Sequence, residues 1–264
     1  MLTVDDPLLL RTCDARGVVT LTLNRPQAFN ALSEAMLAAL QAELDALAAD
    51  ASARVLVIAA AGKAFCAGHD LREMRAQPSL GYYQALFARC AKVMTAIQRL
   101  PIPVIAKVQG VATAAGCQLV ATCDLAVALE SARFAVSGVN LGLFCSTPAV
   151  ALSRNMGRKP AFEMLVTGEF IGAEEARRLG LVNRLAADAA GLDAQVERLA
   201  ASIVAKPRVA VAMGKALFYR QIEAGMEAAY IDAGQTMACN MMDDAALEGV
   251  LAFTEKRPPA WSGG

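Results

Sequence analysis

Two segments rich in glycine and alanine could bind an anionic oxygen through their backbone. The first, residues 64–71 (AFCAGHDL), contains the chain's single histidine, His69, and the second spans residues 110–118 (GVATAAGCQ). Each follows a predicted strand and leads into a predicted helix. The first amides of a helix have no intrahelical acceptor, and small side chains let a ligand oxygen approach them. Two facing corners would hold an oxyanion between two N–H groups, and losing one such donor costs about 100- to 1000-fold in rate.

Such corners also arise simply because a strand and a helix pack closely, and spacing alone does not separate the two interpretations. The side chains provide no Ser-His-Asp triad, because no serine lies beside His69 in its corner. An ordinary polar loop residue is therefore the alternative interpretation of that histidine.

Strands are predicted on both sides of these corners. Residues 17–24 alternate as a strand does, whereas residues 54–61 and 104–108 are continuous apolar runs that suit strands buried on both faces. Shorter strands are predicted at residues 125–128 and 181–183.

Helical spacing marks the intervening segments. A helix is predicted to begin after Ser33, a plausible N-cap, and another to end before Pro101. Their apolar stripes are Leu37, Leu40, Leu44 and Leu47 in the first, and Leu86, Cys90, Val93 and Ile97 in the second. A third helix runs through Leu119, and from Thr147 onward the pattern is almost entirely helical.

The alternation of strands and helices predicts one α/β domain and, taken alone, favours a doubly wound parallel sheet. No G-x-G-x-x-G motif follows a strand, and no Walker-type loop is present, so the nucleotide-binding versions of that fold lack their signatures.

Composition excludes several classes of protein. The 25 basic and 25 acidic residues cancel, which argues against a nucleic-acid partner. Seven cysteines without a CxxC pair, and one histidine, argue against a zinc site and favour reduced thiols in a cytoplasmic protein. The N-terminus has no signal-peptide pattern and no apolar run is long enough to span a membrane, so we expect neither targeting nor membrane insertion.

Five segments carry a resemblance to a known family. In chain order they are LNRPQAFNALS (23–33), KAFCAGHDL (63–71), PVIAKVQGVATAAGCQLVATCD (103–124), MLVTGEFIGAEEARRLGLVN (164–183) and EGVLAFTEKRPPAW (248–261). Together they resemble the crotonase superfamily, also called the enoyl-CoA hydratase/isomerase family, over nearly the full length. Residues 139–161 look most like the branch called enoyl-CoA hydratase domain-containing proteins.

The resemblance implies an α/β fold in which ββα turns form a spiral, in place of a doubly wound sheet. It implies a core with an acyl-CoA site over residues 1–200 and a helical trimerisation region over residues 201–264, within one domain unit. The expected partner is an acyl-CoA thioester, with coenzyme A as part of the substrate and no permanently bound cofactor or metal. The expected assembly is a homotrimer or a dimer of trimers.

The resemblance also assigns site residues. The backbone N–H groups of His69 and Ala115 would form the oxyanion hole. Coenzyme A would contact the backbone of two segments, at Arg25, Ala28, Ala67, Gly68, Asp70 and Leu71. Lys63 and Arg72 match the positions of basic side chains that bind its phosphates, and Lys256 would serve a neighbouring subunit.

Two positions depart from the family's hydratases, which use two carboxylates to add water across a double bond. Gln118 and Gly138 occupy those positions, and neither side chain can transfer a proton. Poor hydration is therefore expected. Four alternatives remain open: decarboxylation of a malonyl-type thioester, thioester hydrolysis using Cys145, Ser146 or a water held by Gln118, weak hydration, and non-catalytic acyl-CoA binding.

Overall fold

The computed structural model describes residues 7–261, which form two sheets covered by helices. In chain order the strands are β1 (Leu9–Cys13), β2 (Val18–Leu23), β3 (Val55–Ala60), β4 (Ala64–Cys66), β5 (Val104–Val108), β6 (Val111–Thr113), β7 (Leu125–Leu129), β8 (Arg133–Ala135), β9 (Ile171–Gly172) and β10 (Arg184–Ala186).

The helices lie between and after these strands. They are α1 (Glu34–Ala49), α2 (Leu71–Ala76), α3 (Leu80–Arg99), α4 (Ala115–Thr122), α5 (Ser146–Asn155), α6 (Arg158–Thr167), α7 (Ala173–Arg178), α8 (Ala189–Val204), α9 (Arg208–Gln221), α10 (Met226–Met241) and α11 (Asp244–Thr254). Two 3-10 helices span Pro26–Ala28 and Ser137–Leu141.

Strand order confirms the ββα spiral. The larger sheet has the order β1-β2-β3-β5-β7-β10, and the smaller has the order β4-β6-β8-β9. The strands β3, β5 and β7 each lie in the larger sheet, and the strand that follows each of them lies in the smaller one. A helical segment then leads to the next turn. A doubly wound fold would place all these strands in one sheet.

The predicted helices α1 and α3 cover this core as their stripes require. All four leucines predicted for α1, and the four residues predicted for α3, are buried. The Ser33 hydroxyl accepts a hydrogen bond from the Met36 amide at 3.2 Å, which confirms Ser33 as the N-cap.

The strand predicted at residues 181–183 is wrong, because the strand is β10, three residues later. Leu181 and Val182 are buried in a turn whose amides both donate to the Ala176 carbonyl. Burial alone therefore produced the apolar pattern. The short strands β1, β4, β6, β8 and β9 were not predicted. The last four have only two or three residues, which leaves too little periodicity to recognise. The strand β1 has five residues, but all after Leu9 are exposed, so it has no buried apolar pattern.

The helices α9 to α11 contribute little to the core. Lys215 and Ala252 are the buried residues of these helices, and α10 has none. Large apolar side chains instead face outward, among them Phe218, Ile222, Met226, Tyr230, Ile231, Met237, Leu251 and Phe253. The proposed division at residue 200 falls within α8 and stays a prediction. Within residues 7–261 no helix is both long and apolar enough to span a membrane.

Candidate active site

A cavity of about 570 Å³ lies beside the two glycine- and alanine-rich corners. Its size falls within the range of small-molecule sites. Of the residues predicted for the site, the cavity is lined by Arg25, Ala28, Ala67, His69, Asp70, Leu71, Arg72, Ala115 and Gly138. Lys63, Gly68, Gln118 and Lys256 do not line it. The fold therefore gathers both corners and the loop between β2 and α1 (residues 24–33, called the first loop) around one space.

The two corners meet at Gly68. A Cβ atom on Gly68 would lie 2.9 Å from the Ala114 Cβ and 3.2 Å from the Ala115 amide nitrogen. Only a glycine permits this approach, and its φ of +92° also favours glycine. The backbone entering His69 thus lies directly against the start of α4.

The amides of His69 and Ala115 are not committed to the secondary structure. Ala115 is the first residue of α4, so its N–H has no intrahelical acceptor. Leu32 pairs with His69 in a parallel bridge, in which the Leu32 amide donates to the Gly68 carbonyl at 2.8 Å. In such a bridge the N–H of His69 points away from Leu32. Both residues also line the cavity.

Ala114 holds the second corner in a strained conformation. Its φ of 50° and ψ of −122° lie where residues with a Cβ are disfavoured. Such strain costs about 1–3 kcal/mol and persists only where the surroundings enforce it. The Ala114 amide donates to the Ala135 carbonyl at 3.0 Å, which ties this residue to the end of β8.

The second carboxylate position has no space for a side chain. Gly138 is buried, and a Cβ there would lie 2.4 Å from the Leu143 carbonyl oxygen and 2.7 Å from the Cys145 Sγ. The Gly138 amide donates to the Cys145 Sγ at 3.3 Å. A sulfur and a backbone carbonyl therefore occupy the volume that a carboxylate side chain would enter.

Cys145 is a protonated thiol in this setting. Burial raises its pKa, and the hydrogen bond from the Gly138 amide opposes that shift only in part. Since the thiolate is the nucleophilic form, the environment suppresses nucleophilic attack by Cys145 at neutral pH.

Gln118 is buried behind the cavity wall, with 4% of its surface exposed. Its Oε1 has no hydrogen-bond partner among the described residues. A buried amide oxygen of this kind normally binds an ordered water. Gln118 therefore retains hydrogen-bonding capacity at the first carboxylate position but cannot transfer a proton.

The His69 ring is neutral at physiological pH. Burial lowers its pKa, and the nearby Leu32 backbone raises the pKa by less than burial lowers it. The ring packs edge-on against Phe87, with centroids 5.5 Å apart, and neither nitrogen meets hydrogen-bond geometry with another described residue.

Asp70, at the end of the first corner, joins Arg25 of the first loop to α2. Its carboxylate caps α2 by accepting from the amides of Arg72 and Glu73, and it pairs with Arg25 at 2.7 Å. Burial opposes ionisation, but the hydrogen bonds from Arg25 and the Arg72 amide prevail and lower the Asp70 pKa. Asp70 is therefore an anchor for Arg25 and α2.

Basic side chains lie at the cavity and next to it. Arg72 is exposed at the cavity, and Lys63 lies over the Phe29 ring, 5.4 Å from its centroid. Neither forms an ion pair with another residue in the described range 7–261. Lys256 is exposed just after α11, with a left-handed φ of 54°.

Two features of the site escaped prediction. Asn30 is fully buried and donates to the carbonyls of Ala61 and Ala64, both at 2.9 Å, while its Oδ1 accepts from the Arg25 amide. Ser137 lines the cavity, and its Oγ lies 3.0 Å from the Thr113 Oγ1. An asparagine inside an otherwise apolar segment was a usable signal for the first, but nothing in the sequence joins residues 113 and 137.

Comparison with known proteins decides the family. A family model described as Enoyl-CoA hydratase/isomerase matches residues 14–264. The chain belongs to the enoyl-CoA hydratase/isomerase family. It therefore lies in the crotonase superfamily, as its motifs indicate, and the fold agrees with that membership.

Similar members of the family include solved structures. The crystal structure of an enoyl-CoA hydratase from Mycobacterium smegmatis is 71% identical, with a TM-score of 0.96 over 97% of this chain and 99% of that one. The human enoyl-CoA hydratase domain-containing protein 3 is 42% identical, with a TM-score of 0.93 over 97% and 100% of the two chains. The rat protein named enoyl-CoA hydratase domain-containing protein 3, mitochondrial, is 44% identical over 97% of this chain and 85% of its own length. These similarities support the predicted branch.

No group of three or more His, Cys, Asp or Glu side chains within residues 7–261 could hold a metal ion. The described residues that line the cavity supply backbone amides, hydroxyl groups, the Cys145 thiol, the side chains of Arg25 and Arg72, and the Asp70 carboxylate.

Proposed function

We propose that this member of the enoyl-CoA hydratase/isomerase family binds an acyl-CoA thioester and stabilises its oxyanion or enolate with the amides of His69 and Ala115. The carrying observation is the contact between the two corners at Gly68. This contact brings together the amide of Ala115, which has no intrahelical acceptor, and the amide of His69, and both residues line the same cavity. Backbone donors fixed in this way need little reorganisation when negative charge develops.

Coenzyme A would lie along the first loop and beside the basic side chains of Lys63 and Arg72. The free charges of Lys63 and Arg72 would contact its phosphates, while Asp70 holds Arg25 beside them. Lys256 is proposed to contribute from a neighbouring subunit. No cofactor beyond the substrate's own coenzyme A is proposed.

The same site should hydrate enoyl thioesters only slowly. Water addition across a conjugated double bond needs one group to remove a proton and another to deliver one. Gln118 does not titrate, and the space beside Gly138 is filled. We expect crotonyl-CoA hydration at least about 100-fold slower than by a family member with both carboxylates.

Two measurements test these statements separately. Isothermal titration with butyryl-CoA tests binding, and absorbance of the enoyl thioester tests hydration of crotonyl-CoA. Gly68→Ala should weaken binding by about tenfold, because its Cβ enters the space between the corners. Gly142→Ala is the matched control, since Gly142 also has a positive φ but no atom within 4 Å of its added Cβ. Absence of butyryl-CoA binding by the unmodified protein would refute the function, and ordinary hydratase turnover would refute the poor-hydration statement alone.

Decarboxylation of a malonyl-type thioester is a second candidate. The sole carboxylate among the described cavity-lining residues is Asp70, and it is paired with Arg25. A substrate carboxylate would thus meet little repulsion, and its departure as CO2 needs no base to begin. Release of CO2 from malonyl-CoA or methylmalonyl-CoA tests this candidate. If a broad acyl-CoA panel binds without turnover, the protein is a non-catalytic binder.

Thioester hydrolysis through Cys145 is less well supported, because its thiol remains protonated. Cys145→Ala provides the test, since loss of hydrolysis in that variant would favour this reaction over the others.

A homotrimer, or a dimer of trimers, is proposed from the apolar side chains exposed on α9 to α11. A cytoplasmic location is proposed from the seven free cysteines, of which Cys13 and Cys239 are exposed.

A further inference from the structure

A pair of hydroxyl groups borders the cavity beside the position that lacks its carboxylate. Ser137 lines the cavity immediately before Gly138, and its Oγ lies 3.0 Å from the Oγ1 of Thr113. Thr113 is the last residue of β6 and is followed by the strained Ala114 and by Ala115. The pair therefore lies beside the proposed oxyanion site.

The hydrogen bond between the two hydroxyls leaves capacity for a ligand. One hydroxyl donates to the other, so the pair still has one unused donor and free lone pairs. Ser137 is half-buried and is the first residue of the 3-10 helix Ser137–Leu141, and its Oγ forms its hydrogen bond with Thr113 of β6. Ser146 differs, because its exposed hydroxyl already donates to the Phe144 carbonyl at 3.3 Å.

The surroundings of this pair are apolar and neutral. Leu141, Leu143 and Phe144 line the adjoining part of the cavity, and the Cys145 thiol is protonated. A substituent that reached Ser137 would gain a hydrogen bond without meeting a negative charge. An acyl chain without such a substituent would leave the unused donor of the hydroxyl pair desolvated and without an acceptor, which is unfavourable.

We propose that Ser137, oriented by Thr113, is a specificity-determining residue that selects acyl thioesters with a hydroxyl group near the thioester carbonyl. The inference rests on the proposed function, since it places the acyl group in this cavity. A neutral hydroxyl pair here holds the substituent that a hydratase would hold with carboxylates, but it does not transfer its proton.

Titration with 3-hydroxybutyryl-CoA and with butyryl-CoA tests the proposal. The unmodified protein should bind the hydroxylated ligand about 3- to 10-fold more tightly, the typical effect of one hydrogen bond. Ser137→Ala should abolish that preference while leaving butyryl-CoA affinity nearly unchanged. Thr113→Ser keeps the orienting hydroxyl and should retain the preference, as should the matched control Ser146→Ala.

Equal affinity for the two ligands in the unmodified protein would overturn the proposal, as would a preference that survives Ser137→Ala. Failure to bind either ligand would instead refute the acyl-CoA function itself, and this proposal with it. Thermal unfolding of Ser137→Ala without ligand checks that the variant is folded. If it is not, loss of the preference in Thr113→Val supports the proposal and its retention overturns it.

Discussion

At the scale of single residues, a few atoms decide which chemistry the cavity allows. Gln118 and Gly138 are predicted to occupy the positions at which hydratases of the family have their two carboxylates, and the packing shows that Gly138 cannot simply be replaced. The Leu143 carbonyl and the Cys145 sulfur already fill the space beside its Cα. The predicted departure from a hydratase would therefore be built into the packing of the loop that precedes α5.

Restoring both carboxylates, by Gln118→Glu with Gly138→Glu, should raise the hydration rate only if that loop moves. We expect Gly138→Ala by itself to lower the free energy of unfolding by about 1–3 kcal/mol, because its Cβ overlaps a backbone carbonyl. Gly81→Ala is the control, since no atom lies within 4 Å of its added Cβ and it lies in the first turn of α3. Urea denaturation measures both. Unchanged stability of Gly138→Ala would mean that the loop yields easily and that the double variant should be an active hydratase.

His69 should make stability depend on pH. Its folded-state pKa lies below the unfolded value of about 6.5, so its contribution is complete above that pH and is lost as the pH falls through the folded pKa. The free energy of unfolding should therefore fall between pH 7.5 and pH 5, by up to about 1.4 kcal/mol per pH unit. His69→Phe removes the titratable imidazole but keeps the backbone amide, so this part of the decline should disappear. An identical decline in both proteins, measured by denaturant titration at each pH, would contradict the assignment.

At the scale of elements, the helix α9 is attached to the core by a buried polar cluster. The Lys215 Nζ donates to the carbonyls of Ile97 and Ile102, both at 2.9 Å, and to Asp124 at 2.7 Å. Tyr219 donates to the other Asp124 oxygen at 2.7 Å. These bonds connect α9 to the end of α3 and to the turn between α4 and β7, and so join the C-terminal helices to the ββα core.

Replacing Lys215 should therefore be costly. Lys215→Met leaves the Asp124 carboxylate and two carbonyls without their cation, and we expect a loss of about 3–5 kcal/mol in the free energy of unfolding. Adding Asp124→Asn should recover part of this loss, because it removes the uncompensated charge. Lys159→Met, at an exposed position of α6, is the control and should have little effect. If chemical denaturation shows equal stability for Lys215→Met and the control, the cluster does not anchor α9.

At the scale of the whole molecule, the exposed apolar side chains of α9 to α11 need a covering surface. Tyr230 is 75% exposed and Phe253 is 84% exposed, which is unfavourable for so many large apolar groups on neighbouring helices. Self-association is the explanation consistent with the proposed trimer, since this region adds few residues to the core of its own chain.

Light scattering after size-exclusion chromatography tests this assembly. A mass of three or six chains of 27.6 kDa is expected. Tyr230→Lys should shift the population toward smaller species, because it would bury a charge in the interface. Ala194→Lys adds the same charge on α8 and should leave the mass unchanged. A monomeric unmodified protein at micromolar concentration would refute the trimer.

The sequence by itself determined the family, the order of the motifs and the long elements. The ββα spiral followed from motif resemblance, and α1 and α3 followed from apolar stripes whose spacing repeats over several turns. The absence of a carboxylate at Gln118 and Gly138 could likewise be recognised without a structure, because the identity of a residue is a property of the sequence. The predicted strand at residues 181–183 failed because a buried turn and a strand share the same apolar pattern.

Only the tertiary structure decided how the site is closed. The approach of Gly68 to Ala115 and the pairing of Ser137 with Thr113 join residues on different turns of the spiral, and the filled space beside Gly138 comes from the folding of the loop that precedes α5. Local periodicity reports which face of an element is buried, but not which atoms of another element it meets. Those contacts depend on packing, because the position of each backbone corner is fixed by the sheets that carry it.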